Sequence, residues 1–202
     1  MAHPWHFATE AFRIRKMCVG LYESNCYVIA CAATGQAVIV DAAEEPDTIL
    51  GNVADVSPQA ILTTHGHFDH VGAAREVAAA LEVPFFLHPA DQDLAGFAAD
   101  RALGEGPIPV GDLEITAIHT PGHTLGSTSF VLPGVVLTGD TLFPGGPGAT
   151  VSPGSSFDDI LASIATHLFT LPDATLVMPG HGLDTTIGTE KPHLNDWIQR
   201  GW

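Results

Sequence analysis

Short apolar runs broken by Gly, Pro and small polar residues set the pattern of this chain, and most have strand rather than helix length. Residues 12–19 and 25–30 read as strands joined by a hairpin at 20–24. A turn at 33–36 leads into 37–41, a wholly apolar strand that ends in Asp41. A strand without polar alternation is covered on both faces. Residues 46–53 read as a helix with Pro46 in its first turn, and Ser57-Pro58 separates it from a strand at 60–63. An Ala-rich helix at 71–81, a strand at 83–87 and a helix at 89–99 follow. Residues 101–111 hold glycines and prolines and read as the main loop of the mid-chain. Strands are then expected at 113–118, 128–132 and 135–138, with Pro133-Gly134 as the last turn between them. The Gly/Pro run at 143–148 reads as a loop. Residues 156–169 read as a helix with a capping box of Ser156 and Asp159, 175–178 as a strand and 193–200 as a final helix.

Two halves emerge, each running from strands to helices, with the break near 101–111. Neither half holds a complete set of candidate metal ligands, so the expectation is one domain over 1–202. Its class is α+β, with two mixed sheets packed face to face and helices outside.

Composition narrows the partners. The chain has 202 residues, 46% of them hydrophobic and 15% charged, which is globular rather than disordered. Its net charge of -16, from 23 acidic and 7 basic residues, repels phosphate backbones, so no nucleic-acid partner is expected. No apolar run has membrane-spanning length, and residues 1–6 lack a secretion signal. The expectation is a cytoplasmic protein without a membrane partner. Cys18, Cys26 and Cys31 have no ligand spacing and read as reduced, mostly buried thiols.

The chemistry concentrates at Thr64-His65-Gly66-His67-Phe68-Asp69-His70, which follows an apolar strand and runs into a helix. Imidazole and carboxylate at this density suit a borderline divalent metal such as zinc. His123, Asp140 and His181 each sit beside a glycine just past the end of a strand, where a rigid scaffold places functional side chains. Together these are seven candidate ligands, more than one tetrahedral ion needs and suited to two ions sharing a carboxylate.

The HxHxDH pattern at 65–70, followed by Pro-Gly-His-Thr, Gly-Asp-Thr-Leu-Phe and Pro-Gly-His-Gly, resembles the metallo-β-lactamase superfamily over nearly the whole chain. That resemblance implies a four-layer αβ/βα sandwich with metals at one edge of the sheets. It puts His65, His67 and His123 on a first ion, Asp69, His70 and His181 on a second, and Asp140 on both. Asp41 matches the family's buried acid, which orients a ligand or loop; its other reading is a strand-end cap. Within the superfamily, Asp140 and the tail at 185–191 resemble short glyoxalase II-like hydrolases. The implied reaction is hydrolysis of a small S-2-hydroxyacyl thioester by a metal-bridging hydroxide, with Asp69 also accepting its proton. Zinc is the expected metal, and iron and manganese accept the same donors. The basic C-terminal region that holds glutathione in full-length glyoxalase II has no counterpart before Trp202, so the thiol is open. Persulfide oxidation at one iron held by His67, His123 and Asp140, or lactone hydrolysis, are the other enzymatic readings.

Overall fold

Alternation along the third strand shows how the layers form. Cys26, Val28 and Ala30 face one core, while Tyr27, Ile29 and Cys31 face another. The computed structural model describes residues 2–201 and places these strands in two large sheets. The first sheet runs in chain order: β1 (Phe7–Ala8), β2 (Phe12–Val19), β3 (Ser24–Cys31), β4 (Gln36–Val40), β5 (Ser57–Leu62), β6 (Phe85–Leu87) and β7 (Arg101–Ala102). It is antiparallel from β1 to β4 and parallel from β4 to β7.

In the second half come β8 (Gly106–Val110), β9 (Leu113–His119), β10 (Thr128–Leu132) and β11 (Val135–Gly139). A small hairpin of β12 (Leu142–Phe143) and β13 (Gly146–Pro147) follows, then β14 (Leu176–Pro179) and β15 (Thr185–Thr186). The second sheet is ordered β15-β14-β11-β10-β9-β8, with only the β11–β14 pair parallel.

Between the sheets lies a core that includes Ile14, Ile29, Leu62, Ile115, Phe130 and Leu137. Helices cover the outer faces. On the first sheet, α1 (Pro46–Gly51), α2 (Phe68–Val71) and α3 (Ala74–Leu81) supply Ile49, Val71, Ala74 and Val77 against Val28, Ile39 and Ile61. After α4 (Gln92–Ala95), the second sheet is covered by α5 (Phe157–Ser163), α6 (Ile187–Glu190) and α7 (Leu194–Arg200). Their Ile160, Leu161, Ile187 and Trp197 pack on Val136 and Val177. The result is the expected α+β sandwich of four layers. No helix among the described residues is long and apolar enough to cross a membrane. The three cysteines are free thiols, Cys26 and Cys31 buried and Cys18 exposed.

Several elements depart from the pattern reading, each for a physical reason. Residues 101–111 are not one loop but contain β7 and β8. In β8, Pro107 and Pro109 occupy the exposed positions of an edge strand, where a missing N–H costs no ladder bond. The helix expected at 89–99 shrinks to a 3-10 turn at Pro89–Asp91 and α4, which Gly96 stops in the left-handed region at φ 75°. The helix expected at 71–81 is interrupted before Ala74, because Ala73 N–H donates to the carbonyls of Ala42 and Ala43. Residues 143–148 form most of the β12–β13 hairpin instead of a loop. Ser156 caps α5 at Asp159 N–H, but the helix widens to a π turn over Ile164–Leu168.

The tail at 185–191 also has a structural task. Thr186 caps α6 at Thr189 N–H, and buried Glu190 accepts from Thr185 Oγ1 at 2.6 Å and from Gly145 N–H at 2.8 Å. That carboxylate ties the β12–β13 hairpin to the end of the second sheet. Replacing it by alanine leaves both donors without their partner. Glu190→Ala is therefore expected to lower stability by about 1–3 kcal/mol in urea unfolding, with an unchanged m value; an unaltered midpoint would contradict this role.

Candidate metal centre

Both sheets deliver candidate ligands from the same edge. β5 runs into Thr63-Thr64-His65, all buried, and Thr64 C=O accepts from Thr128 N–H of the second sheet at 2.7 Å. α2 begins directly after His67, so Asp69 and His70 lie in its single turn. β9 delivers His123 through Pro121-Gly122, β11 delivers Asp140, and β14 delivers His181 through Gly180. Two glycines permit these approaches. Gly122 has φ 137°, and a Cβ there would strike the Ile160 backbone of α5. At Gly180 a Cβ would strike Asp140 Oδ1 and lie 2.8 Å from His70 Cε1.

All seven candidates converge. His65, His67 and His123 form one group of donor atoms lying within 4.8 Å of one another, and Asp69, His70 and His181 form another. Asp140 stands between them. Its Oδ1 is 3.5 Å from His70 Nε2, and its Oδ2 is 3.7 Å from His123 Nε2 and 3.6 Å from His181 Nε2.

In four of the five histidines the ring nitrogen facing away from the centre is held. His70 Nδ1 donates to Asp41 at 2.9 Å, His123 Nδ1 to Ala149 C=O at 2.7 Å, His181 Nδ1 to Tyr22 C=O at 2.9 Å, and His65 Nδ1 lies 3.1 Å from Thr64 Oγ1. Such bonds leave Nε2 lone pairs pointing inward. There, His123 Nε2 faces His67 Nδ1 at 2.9 Å and His70 Nε2 faces His181 Nε2 at 3.2 Å. Two imidazole nitrogens this close repel unless a proton or a cation lies between them. Nitrogens bound to one tetrahedral zinc at about 2.0–2.1 Å stand roughly 3.3 Å apart, close to these spacings. His65 Nε2 and Asp140 Oδ1 are buried without any hydrogen-bond partner. A pair of cations held between the two groups would satisfy all of these atoms at once.

The two groups differ in charge. Burial, then the neighbouring histidines, holds His65 well below the usual histidine range, and burial with His123 lowers His67. Burial also acts to strip His70 of its proton, but Asp140, Asp41 and Asp69 outweigh it and push the pKa up to about 9. His181 is raised, mainly by its hydrogen bond to Asp69. Asp69 is pushed up by burial, yet His181 and the charge on His70 leave it below the ordinary carboxylate range.

Buried acids hold the loops. Asp41, in the left-handed region at φ 57°, accepts from Thr64 N–H and Thr64 Oγ1, both at 2.7 Å, as well as from His70. It is thus more than a strand-end cap. The sequence reading missed Asp91, which accepts from Gly66 N–H at 2.8 Å and from Thr124 Oγ1 and Gly126 N–H at 2.7 Å. It fastens the His65–His67 loop to the His123 loop. Asn25 and Tyr27 were also missed: Tyr27 Oη donates to Pro179 C=O at 2.6 Å, and Asn25 Nδ2 donates to the carbonyls of Pro179 and Gly182. Both pin the His181 loop to β3. No local pattern marks them, since their partners are distant in sequence.

Two outcomes follow from this geometry. Asp91→Ala should weaken zinc binding at the His65/His67/His123 group on the order of tenfold, measured by competition with a chelating dye, while unchanged affinity would contradict the fastening role. Zinc entering that group displaces no proton from His65 or His67 near pH 7, because their pKa values are lowered. Zinc entering the other group must displace the proton on His70. Affinity there should rise about tenfold per pH unit up to about 9 and then level for that residue. Calorimetry in buffers of different ionisation enthalpy reads the proton release, and binding of both ions without release would contradict the assignment.

Comparison with known proteins agrees with this architecture. The sequence profile of the Metallo-beta-lactamase superfamily matches residues 19–181. The hydroxyacylglutathione hydrolase GloC of Haemophilus influenzae is 33% identical over 203 residues, covering 88% of this chain and 95% of GloC. Among solved structures, the BLEG-1 B3 metallo-beta-lactamase superposes with a TM-score of 0.81 at 32% identity, covering 89% of this chain and 97% of that one. TTHA1623 in a di-iron-bound form gives a TM-score of 0.76 at 34% identity, covering 88% and 96%. With its fold, its donor cluster and a profile match from Val19 to His181, this chain belongs to the metallo-beta-lactamase superfamily of metal-dependent hydrolases.

Proposed function

We propose that this protein hydrolyses small thioesters, S-2-hydroxyacyl thiols foremost, with two divalent ions. His65, His67 and His123 hold one, Asp69, His70 and His181 the other, and Asp140 reaches both. The observation that carries this reading is the pair of complete donor groups meeting at one carboxylate. Zinc suits the imidazole-rich set, and iron or manganese fits the same donors. Bound there, two such ions would acidify a water molecule and polarise an acyl carbonyl.

The reaction adds water across the acyl C–S bond. A C–O bond forms, the C–S bond breaks, and a carboxylic acid and a thiol leave. Asp69 is ionised at neutral pH, half-buried, and held 3.3 Å from His181 Nε2 and 3.8 Å from His70 Nε2. In this reading Asp69 takes the proton of the attacking water. Asp41 and Tyr22 C=O orient the rings of His70 and His181 beside it.

The hydrolase activity named for GloC supports a thioester substrate. Oxidation of a persulfide at one iron needs fewer donors and leaves the Asp69/His70/His181 group without a task. Lactone hydrolysis uses the same donors and belongs in the same substrate panel. A cytoplasmic setting suits the three free thiols.

Zinc-loaded protein is expected to release thiol from S-lactoylglutathione or another S-lactoyl thiol, to lose the activity with a chelator and to regain it with zinc. Asp69→Asn should lower kcat by about 10²-fold or more. No turnover of any S-lactoyl thiol above the His67→Ala background would overturn the proposal, and preferential cleavage of lactones or β-lactams would redirect it.

A further inference from the structure

Exposed apolar side chains are not scattered over this molecule. Eight large ones stand exposed among the described residues, and six lie within two residues of a candidate ligand or of a backbone carbonyl that holds one. Phe68 lies between His67 and Asp69, Leu125 two residues beyond His123, and Leu183 two residues beyond His181. Tyr22 contributes the carbonyl that holds His181, and Leu21 precedes it, 93% exposed. Val151, 90% exposed, follows two residues after Ala149, whose carbonyl holds His123. The Tyr22 and Phe68 rings meet edge to face at 5.0 Å, joining the β2–β3 turn to the ligand loop. The Phe143 ring stacks beside this group, its centroid 6.5 Å from that of His181. Apolar surface kept in water at one place marks a binding site.

Charge around the collar is acidic or cancelled. Glu23 follows Tyr22, and Asp184 follows Leu183. The cation near His181 is Lys16, whose ammonium is held by Asp184 at 2.6 Å and by Gly182 C=O at 2.8 Å. Arg15 is paired with Asp55, Lys191 with Asp173, and Arg75 lies over Phe97. Arg200 borders a cavity walled by residues 143–151 and Phe157; a glutathione arm carries two carboxylates and one ammonium, a net negative charge that a surface bordered by Glu23 and Asp184 disfavours. An uncharged arm meets no such mismatch and covers the apolar side chains.

We propose that this collar seats an uncharged amide-linked thiol arm of the pantetheine kind, so that the site prefers such thioesters to those of glutathione. The inference rests on the thioester reading and names the thiol. The probes are two thioethers that water cannot cleave, S-(2-hydroxypropyl)pantetheine and S-(2-hydroxypropyl)glutathione, titrated calorimetrically into zinc-loaded protein. The pantetheine thioether is expected to bind about tenfold more tightly, with little dependence on salt. The Leu21→Ser/Leu183→Ser double variant should lose about tenfold on that probe alone, at unchanged zinc content and melting temperature.

Equal or tighter binding of the glutathione thioether would overturn the proposal, as would a variant that weakens both probes alike. A dimer in sedimentation that the double variant dissociates would assign the collar to a second copy of this chain and overturn it too. Preference for the pantetheine probe in a protein that cleaves no thioester would keep the collar and remove the hydrolytic reading. Cleavage of S-lactoylglutathione with equal binding of both probes would do the reverse.

Discussion

Five imidazoles and two carboxylates crowd one edge of this protein, and two of their acceptor atoms, His65 Nε2 and Asp140 Oδ1, are buried without a hydrogen-bond partner. Nitrogen faces nitrogen at 2.9 and 3.2 Å, and Asp140 offers oxygens to both groups. Such an arrangement is unfavourable by itself, so the rest of the structure has to hold it in place. Cations would relieve it, and a bound metal would thus stabilise the same site that it makes reactive.

The holding is done by buried polar groups that link the two sheets. Asp41 ties the end of β4 to Thr64 and His70, Asp91 ties the first ligand loop to the His123 loop, and Asn25 and Tyr27 tie β3 to the His181 loop. Each carboxylate is satisfied by N–H or O–H donors of the loops it positions, which is what makes its burial tolerable. Glycine at 122 and 180 then lets backbone approach where any side chain would collide. The apolar core between the sheets supplies the stiffness, since a packed interior resists the small shifts that would let the ligands part.

How far the sequence discloses this depends on the range of the interaction. The candidate ligands were legible because each lies in a short local motif at a strand end, and so was the two-sheet architecture with its division near 101–111. Element type was misread where tertiary context decided it: Pro107 and Pro109 look like loop residues but sit on the outward positions of an edge strand. Ala73 looks helical, but its N–H is claimed by Ala42 and Ala43. Asp91 was illegible for the same reason, as its partners at 66, 124 and 126 come from loops far along the chain. The all-buried strand Ser24–Cys31 shows no alternation in its letters, although its side chains divide between two cores.

The most direct test of a two-ion centre is anomalous diffraction from crystals of the zinc-loaded protein. Two zinc peaks are predicted, one among His65, His67 and His123 and one among Asp69, His70 and His181, with Asp140 reaching both. A single peak, with Asp69, His70 and His181 left uncoordinated at saturating zinc, would contradict it.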